Sequence, residues 1–156
     1  MHLGTDSSRG ETTIGDNGNF LAYAHIAHDC IVGDQNVIAN GATLGGHVTI
    51  EDFVIVGGLV GIHQFVRIGT SAILGAGSMV SKDVPPYCNA TGDRAKLHGL
   101  NVEGLKRRGF DKSVIEAIHK AYRIAFRSKL KIEDAVKQIR QEIVAIPEVE
   151  KFVSFI

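Results

Sequence analysis

The sequence predicts a mainly β fold: a parallel β-helix of six-residue repeats, followed by a small C-terminal α-helical domain. Three observations predict the repeat itself. Every sixth residue from Ile14 is bulky and apolar: Ile14, Phe20, Ile26, Val32, Ile38, Leu44, Ile50, Val56, Ile62, Ile68, Leu74 and Val80. The position four further on is mostly small or β-branched, as at Ala24, Cys30, Ala42, Val48, Val54, Val60, Val66, Ala72 and Ser78. Glycine often follows the apolar position, at Gly15, Gly33, Gly45, Gly57, Gly69 and Gly75, where it is expected to supply unusual backbone angles. Neither a helix nor a simple strand produces a period of six. A solenoid does, because each short strand turns a corner and stacks on the coil below, with the apolar columns inside.

Taken in order, residues 1–13 are a polar, turn-rich opening (TDSSRGETT from Thr5 to Thr13). A solenoid end exposes unpaired backbone groups. The expectation is that these residues, another chain, or a preceding part of a longer protein covers that end, the last being favoured. From Ile14 to Pro85 run twelve hexads, which make four triangular coils of 18 residues; at roughly 4.8 Å per coil the stack is about 19 Å tall. Pro85-Pro86 removes two ladder donors and breaks the pattern. A turn-rich passage is expected from Tyr87 to Leu100. Helices follow: one with Asp111 as N-cap and Val114, Ile115, Ile118, Ala121, Tyr122, Ala125 and Phe126 on one face, a second from about Ile132, and a third started by Pro147. The expected domains are residues 1–90 and 91–156.

The bulk properties exclude several function classes. The formal net charge is zero, so no global field points to nucleic acid. The apolar stretch from Phe53 to Ile62 is broken by glycines, keeps the repeat phase and is too short to span a bilayer. Cys30 and Cys88 form neither a metal spacing nor a disulfide framework; Cys30 falls at a small inward repeat position, and a buried free thiol there suits a reducing cytoplasm. Between Arg94 and Lys131, eleven basic residues stand against three acidic ones, a solvated surface or a site for phosphates or an acidic partner.

Stacking by 18 places candidate chemistry at one corner. His28 falls beside Gly46, Asp29 beside His47, and His63 beside Gly45. A neutral imidazole can take the proton from an attacking hydroxyl, and a fixed N–H can hold the oxyanion that develops. Asp29 can orient that imidazole. The rival chemistry is zinc, with His25, His28 and His47 as ligands.

The runs Ala24–Cys30 (AHIAHDC), Gly46-His47-Val48, Ile62–Phe65 (IHQF), Asp83–Tyr87 (DVPPY) and Asn101–Gly109 (NVEGLKRRG) carry a specific resemblance. The sequence resembles the acyl-[acyl-carrier-protein]–UDP-N-acetylglucosamine O-acyltransferases, which catalyse the first step of lipid A biosynthesis. The resemblance implies a left-handed helix of coils, a homotrimer with sites between subunits, an acyl carrier protein thioester as donor and UDP-N-acetylglucosamine as acceptor. It implies no metal or other cofactor, no nucleic-acid partner and no stable membrane insertion. By position, His28 would be the general base, Asp29 its orienting carboxylate and Gly46 the oxyanion donor. His25, His47, His63 and Gln64 would line the substrate cleft, and Asn101, Glu103, Arg107 and Arg108 would contact the nucleotide and its phosphates. Ala76 would limit acyl length at the end of the groove. The family also carries coils ahead of the point where this sequence begins, with further cleft groups including an acidic residue. Alternatives are an N-acyltransferase of the same pathway, against which Asn101–Gly109 argues, and a non-catalytic trimeric scaffold or a truncated, inactive product.

Overall fold

The six-residue repeat becomes twelve two-residue strands. β1 is Thr13–Ile14 and each successive strand lies six residues on, as far as β12 at Met79–Val80. This computed structural model describes all residues from 1 to 156. Strands three apart pair in parallel, giving sheets β1-β4-β7-β10 and β3-β6-β9-β12, with β2, β5, β8 and β11 in a third. Thr13 pairs with Ile31, Val37 with Ile55 and Thr43 with Gly61, so residues 18 apart superpose as the spacing predicts. The apolar columns fill the interior: from Ile26 to Val80 no repeat residue is more than 4% exposed. Each such side chain contributes about 1.5–3 kcal/mol through burial.

Two repeat residues depart from this. Ile14 and Phe20 are 37% and 39% exposed, and their strands lie at the ends of their sheets. Ile26, on the third face of the same coil, is covered: the His2 N–H donates to its carbonyl at 2.9 Å, and its exposure falls to 4%. The opening residues therefore shield one face of the first coil.

The repeat glycines do not do what their spacing suggests. None of Gly15, Gly33, Gly45, Gly57, Gly69 and Gly75 has a positive φ. The left-handed corner falls two residues later, at Asn17, Tyr23, Asp29, Gln35, His47, Phe53, Leu59, Phe65 and Ser71, with φ between 55° and 67°. The glycines serve close approach instead. A Cβ on Gly57 would stand 2.6 Å from the Ala76 nitrogen and 2.7 Å from the Leu74 carbonyl oxygen, so the coils stack there only without a side chain.

Beyond Pro85-Pro86 the expected turn-rich passage contains two strands, β13 (Cys88–Thr91) and β14 (Lys96–Leu100). β13 pairs with β11, but Ile73 meets Asn89, a step of sixteen rather than 18. Ile68 bridges Val84 with the same shortened step, and Pro86 lies against Gly69, where a Cβ would collide with its ring. The prolines cut the corner rather than end the stack.

The chain divides into two compact units, Met1–Gly99 and Leu100–Ile156. In the second, α1 (Val102–Arg107) is capped by Asn101, whose Oδ1 accepts the Gly104 N–H at 3.0 Å. α2 (Lys112–Arg127), α3 (Ile132–Glu142) and α4 (Pro147–Phe155) follow, with Ile118, Ile139 and Phe152 fully buried. Asp111 occupies the N-cap of α2 with extended backbone, but its side chain makes no capping bond. No helix is long and apolar enough to cross a membrane.

Candidate active site

The site grows from the corner that follows β3 (His25–Ile26). Asp29 takes the left-handed conformation there, φ 60°, which a short polar side chain tolerates. The turn buries its carboxylate completely while leaving the His28 side chain 40% exposed. Asp29 Oδ2 lies 2.8 Å from His28 Nδ1. An ionised carboxylate can only accept, so Nδ1 carries the hydrogen and Nε2 keeps a free lone pair. Burial alone would raise the Asp29 pKa. Hydrogen bonds from the His28 and Thr5 side chains and the Thr5 N–H, with His47 nearby, outweigh it and hold the value at about 2.

Gly46, one coil along, completes the corner. A Cβ there would stand 2.7 Å from His28 Cε1 and 2.8 Å from Nε2, so the imidazole edge rests on a position that only glycine can fill. Gly46 is buried and its carbonyl accepts the Phe65 N–H, while its own N–H meets no acceptor in the protein. A buried donor without a partner is the feature an oxyanion would satisfy.

His47 joins the group edge-on: its ring centroid is 5.2 Å from that of His28 at 88°, and its Nε2 lies 4.0 Å from Asp29 Oδ2. Below it, Phe65 stacks at 4.6 Å and 12°. His63 and Gln64 are exposed, and they line a concavity of about 480 Å³ with Gly45, Gly46, Gly61 and Met79. Ala76 is exposed and does not line that concavity. His25 faces the opening segment, 5.0 Å from the ring of His2. The three groups whose donor atoms converge within 4.8 Å are His28, Asp29 and His47, so His25 is not part of the one set that could chelate a metal.

In the helical unit, Glu103 pairs with Lys106 at 3.0 Å and not with Arg107. Arg108 lies over the Phe110 ring at 5.1 Å. Arg107 is exposed at the end of α1 and forms no ion pair, which leaves its guanidinium for an anion.

Sequence reasoning missed the opening segment. Thr5 donates to Asp29 from both its hydroxyl (2.8 Å, to Oδ2) and its N–H (3.2 Å). The Gly10 N–H adds a bond to Oδ1 at 3.2 Å, and Thr12 Oγ1 accepts the Asp29 N–H at 2.8 Å. Nothing in the polar string TDSSRGETT singles out these partners, because they lie outside the repeat that relates the other residues.

Known proteins resemble this arrangement closely. Residues 83–156 match the family described as UDP N-acetylglucosamine O-acyltransferase, domain 2, and residues 11–46 match the bacterial transferase hexapeptide repeat. An acyl-[acyl-carrier-protein]–UDP-N-acetylglucosamine O-acyltransferase of Aliivibrio fischeri is 46% identical over 97% of this chain and 58% of its own. The solved UDP-N-acetylglucosamine O-acyltransferase of Moraxella catarrhalis superposes with a TM-score of 0.94 at 41% identity, over 98% of this chain and 60% of that one. The Arabidopsis UDP-N-acetylglucosamine acyltransferase gives 0.89 at 42% identity, over 94% of this chain and 53% of that one. The chain thus spans somewhat more than half the length of these relatives.

Proposed function

Because the chain belongs to the UDP-N-acetylglucosamine O-acyltransferase family, we propose that it carries the acyl-transfer site of such an enzyme. The reaction moves a 3-hydroxyacyl group from acyl carrier protein to the sugar 3-hydroxyl of UDP-N-acetylglucosamine. The observation that carries this reading is the His28 imidazole held by Asp29 at 2.8 Å and laid against Gly46. In the proposed step His28 Nε2 takes the proton of the 3-hydroxyl as its oxygen attacks the thioester carbonyl carbon. The oxyanion is held by the Gly46 N–H. As the intermediate collapses, the C–S bond breaks and the imidazolium returns the proton to sulfur. The products are the O-acylated sugar nucleotide and the carrier thiol. Asp29 offsets the charge on the imidazolium and keeps Nδ1 protonated.

His47, His63 and Gln64 are proposed to line the cleft with His25, and Ala76 to bound acyl length. Asn101, Glu103, Arg107 and Arg108 are proposed as nucleotide contacts, Arg107 being the best supported because its guanidinium is unpaired. Asn101 already spends its amide oxygen on the α1 cap. We also propose a homotrimer, and a cytoplasmic location, which the two buried free thiols suit.

The test is mass-spectrometric detection of product from the purified chain, a 3-hydroxyacyl carrier-protein thioester and UDP-N-acetylglucosamine. Product should form, vanish in His28→Ala, and survive a chelator. Equal product from His28→Ala would overturn the base assignment. Loss on chelation, restored by zinc, would favour a metal held by His28, Asp29 and His47 instead. A folded chain that forms no product would point to a scaffold, and sizing would report the trimer.

A further inference from the structure

The base and its carboxylate are only half of the hydrogen-bonded cluster at this corner. Asp29 Oδ2 is shared by two donors at the same distance, His28 Nδ1 and the Thr5 hydroxyl, each 2.8 Å away. The Thr5 N–H lies 3.2 Å from both oxygens, and the Gly10 N–H donates to Oδ1 at 3.2 Å. Thr12 holds the backbone of Asp29 from below, accepting its N–H at 2.8 Å. The segment from Thr5 to Thr12 is therefore a strap fastened at both ends to one carboxylate-bearing residue. Between the fastenings, the Ser8 hydroxyl comes within 3.4 Å of His47 Nδ1.

We propose that Thr5 is a positioning residue for the acyl-transfer reaction, fixing the carboxylate that aims His28. The physical reason lies in the torsion of the acid. The terminal torsion of an aspartate is broad and nearly two-fold, so an unheld carboxylate swings and presents either oxygen. His28 is partly exposed and cannot hold it alone, since an imidazole fixed by a single bond turns with its partner. A hydroxyl donating to the same oxygen as Nδ1, with the Gly10 N–H on the other and the Thr5 N–H shared between them, selects one orientation. The imidazole plane then stays against Gly46. Thr5 touches neither substrate nor reacting atoms in this assignment; it acts through Asp29. The proposal rests on the acyl-transfer reading for its kinetic arm only.

Thr5→Val keeps the shape and the N–H and deletes the hydroxyl; Thr5→Ser keeps the hydroxyl. Two measurements are made on the full chain. The first is kcat and KM for UDP-N-acetylglucosamine. Thr5→Val is expected to lower kcat about tenfold or more, the scale of one hydrogen bond to a charged group, with KM unchanged, and Thr5→Ser to recover most of it. The second, without substrate, is the downfield proton signal of His28 Nδ1–H in the nuclear magnetic resonance spectrum. It is expected to be sharp in the unmodified chain and in Thr5→Ser, and broadened by exchange in Thr5→Val.

Unaltered kcat and an unaltered signal in Thr5→Val would overturn the proposal. Equal loss in both variants would overturn it too, since packing alone would then account for the residue. If the unmodified chain transfers no acyl group, the functional reading fails while the signal still decides the role of Thr5. If Thr5→Val does not fold, amide exchange in the unmodified chain decides. The Thr5 and Gly10 amides must exchange more slowly than those of Asp6 and Ser7, which meet no acceptor; fast exchange at Thr5 overturns the clamp.

Discussion

Two corners of the same solenoid use aspartate in opposite ways. At one, Asp34 and Asp52 each reach back to the coil before: Asp34 Oδ1 accepts the Asp16 N–H at 2.7 Å, and Asp52 Oδ1 the Asp34 N–H at 2.8 Å. These carboxylates repeat with the coils, and Gly15 and Gly33 leave the space they enter, since a Cβ at either would collide with the carboxylate. At the other corner Asp29 is buried and accepts from His28, Thr5 and Gly10 instead. Asp34 and Asp52 build the stack; Asp29 serves a side chain that builds nothing. The difference teaches that Asp34 and Asp52, bonded at the repeat interval, are structural, whereas Asp29, whose partners break it, belongs to the site.

That contrast can be broken at several points. The largest effect is expected from His28→Ala, which should lower acyl transfer by at least about a hundredfold while leaving the circular dichroism spectrum unchanged; retention of more than a tenth of the rate would end the assignment. Gly46→Ala comes next. The new methyl would sit 2.7 Å from His28 Cε1, so the imidazole must move, and transfer should fall about tenfold or more with little change in melting temperature. Gly33→Ala is its counterpart at the structural corner. There the methyl meets the Asp52 carboxylate, and the expected cost is about 1–3 kcal/mol of stability, read by urea titration, with the rate per folded molecule unchanged. If Gly33→Ala altered the rate and Gly46→Ala only the stability, the distinction between the corners would collapse. Asp34→Ala should cost about 0.5–1.5 kcal/mol, one backbone hydrogen bond.

The last effect is in acid. The folded pKa of Asp29, about 2, lies below its ordinary 3.8, so the unfolded chain binds more protons between these values. Its contribution to stability is complete above about pH 4 and disappears as the pH falls through about 2. Asp29→Asn should remove that part of the acid transition, and Asp34→Ala should not; acid melts of the two variants would show it.

Much of this site is legible in the sequence. The step of 18 places Gly46 over His28 and His47 over Asp29, and the structure brings those four residues together. The same arithmetic failed beyond Ile68, where Pro85-Pro86 shortens the coil to sixteen residues. It also misjudged the repeat glycines, because a period reveals that a position is special without saying whether space or backbone angle makes it so. Glu103 and Arg107 share a helical face at a spacing of four, yet Glu103 pairs with Lys106. Spacing offers both partners, and on an exposed surface such a choice is settled by small differences in side-chain geometry.

By itself, then, the sequence determined everything that depends on periodicity: parallel coils, the buried apolar columns, and which residues superpose from one coil to the next. A regular repeat determines these because each position inherits its neighbours from the period. Only the tertiary structure decided the partners of Asp29. Thr5 stands 24 residues away and outside the repeat, so no interval connects them. What joins them is a buried carboxylate whose lone pairs must be met by donors, and the opening strap brings those donors to it.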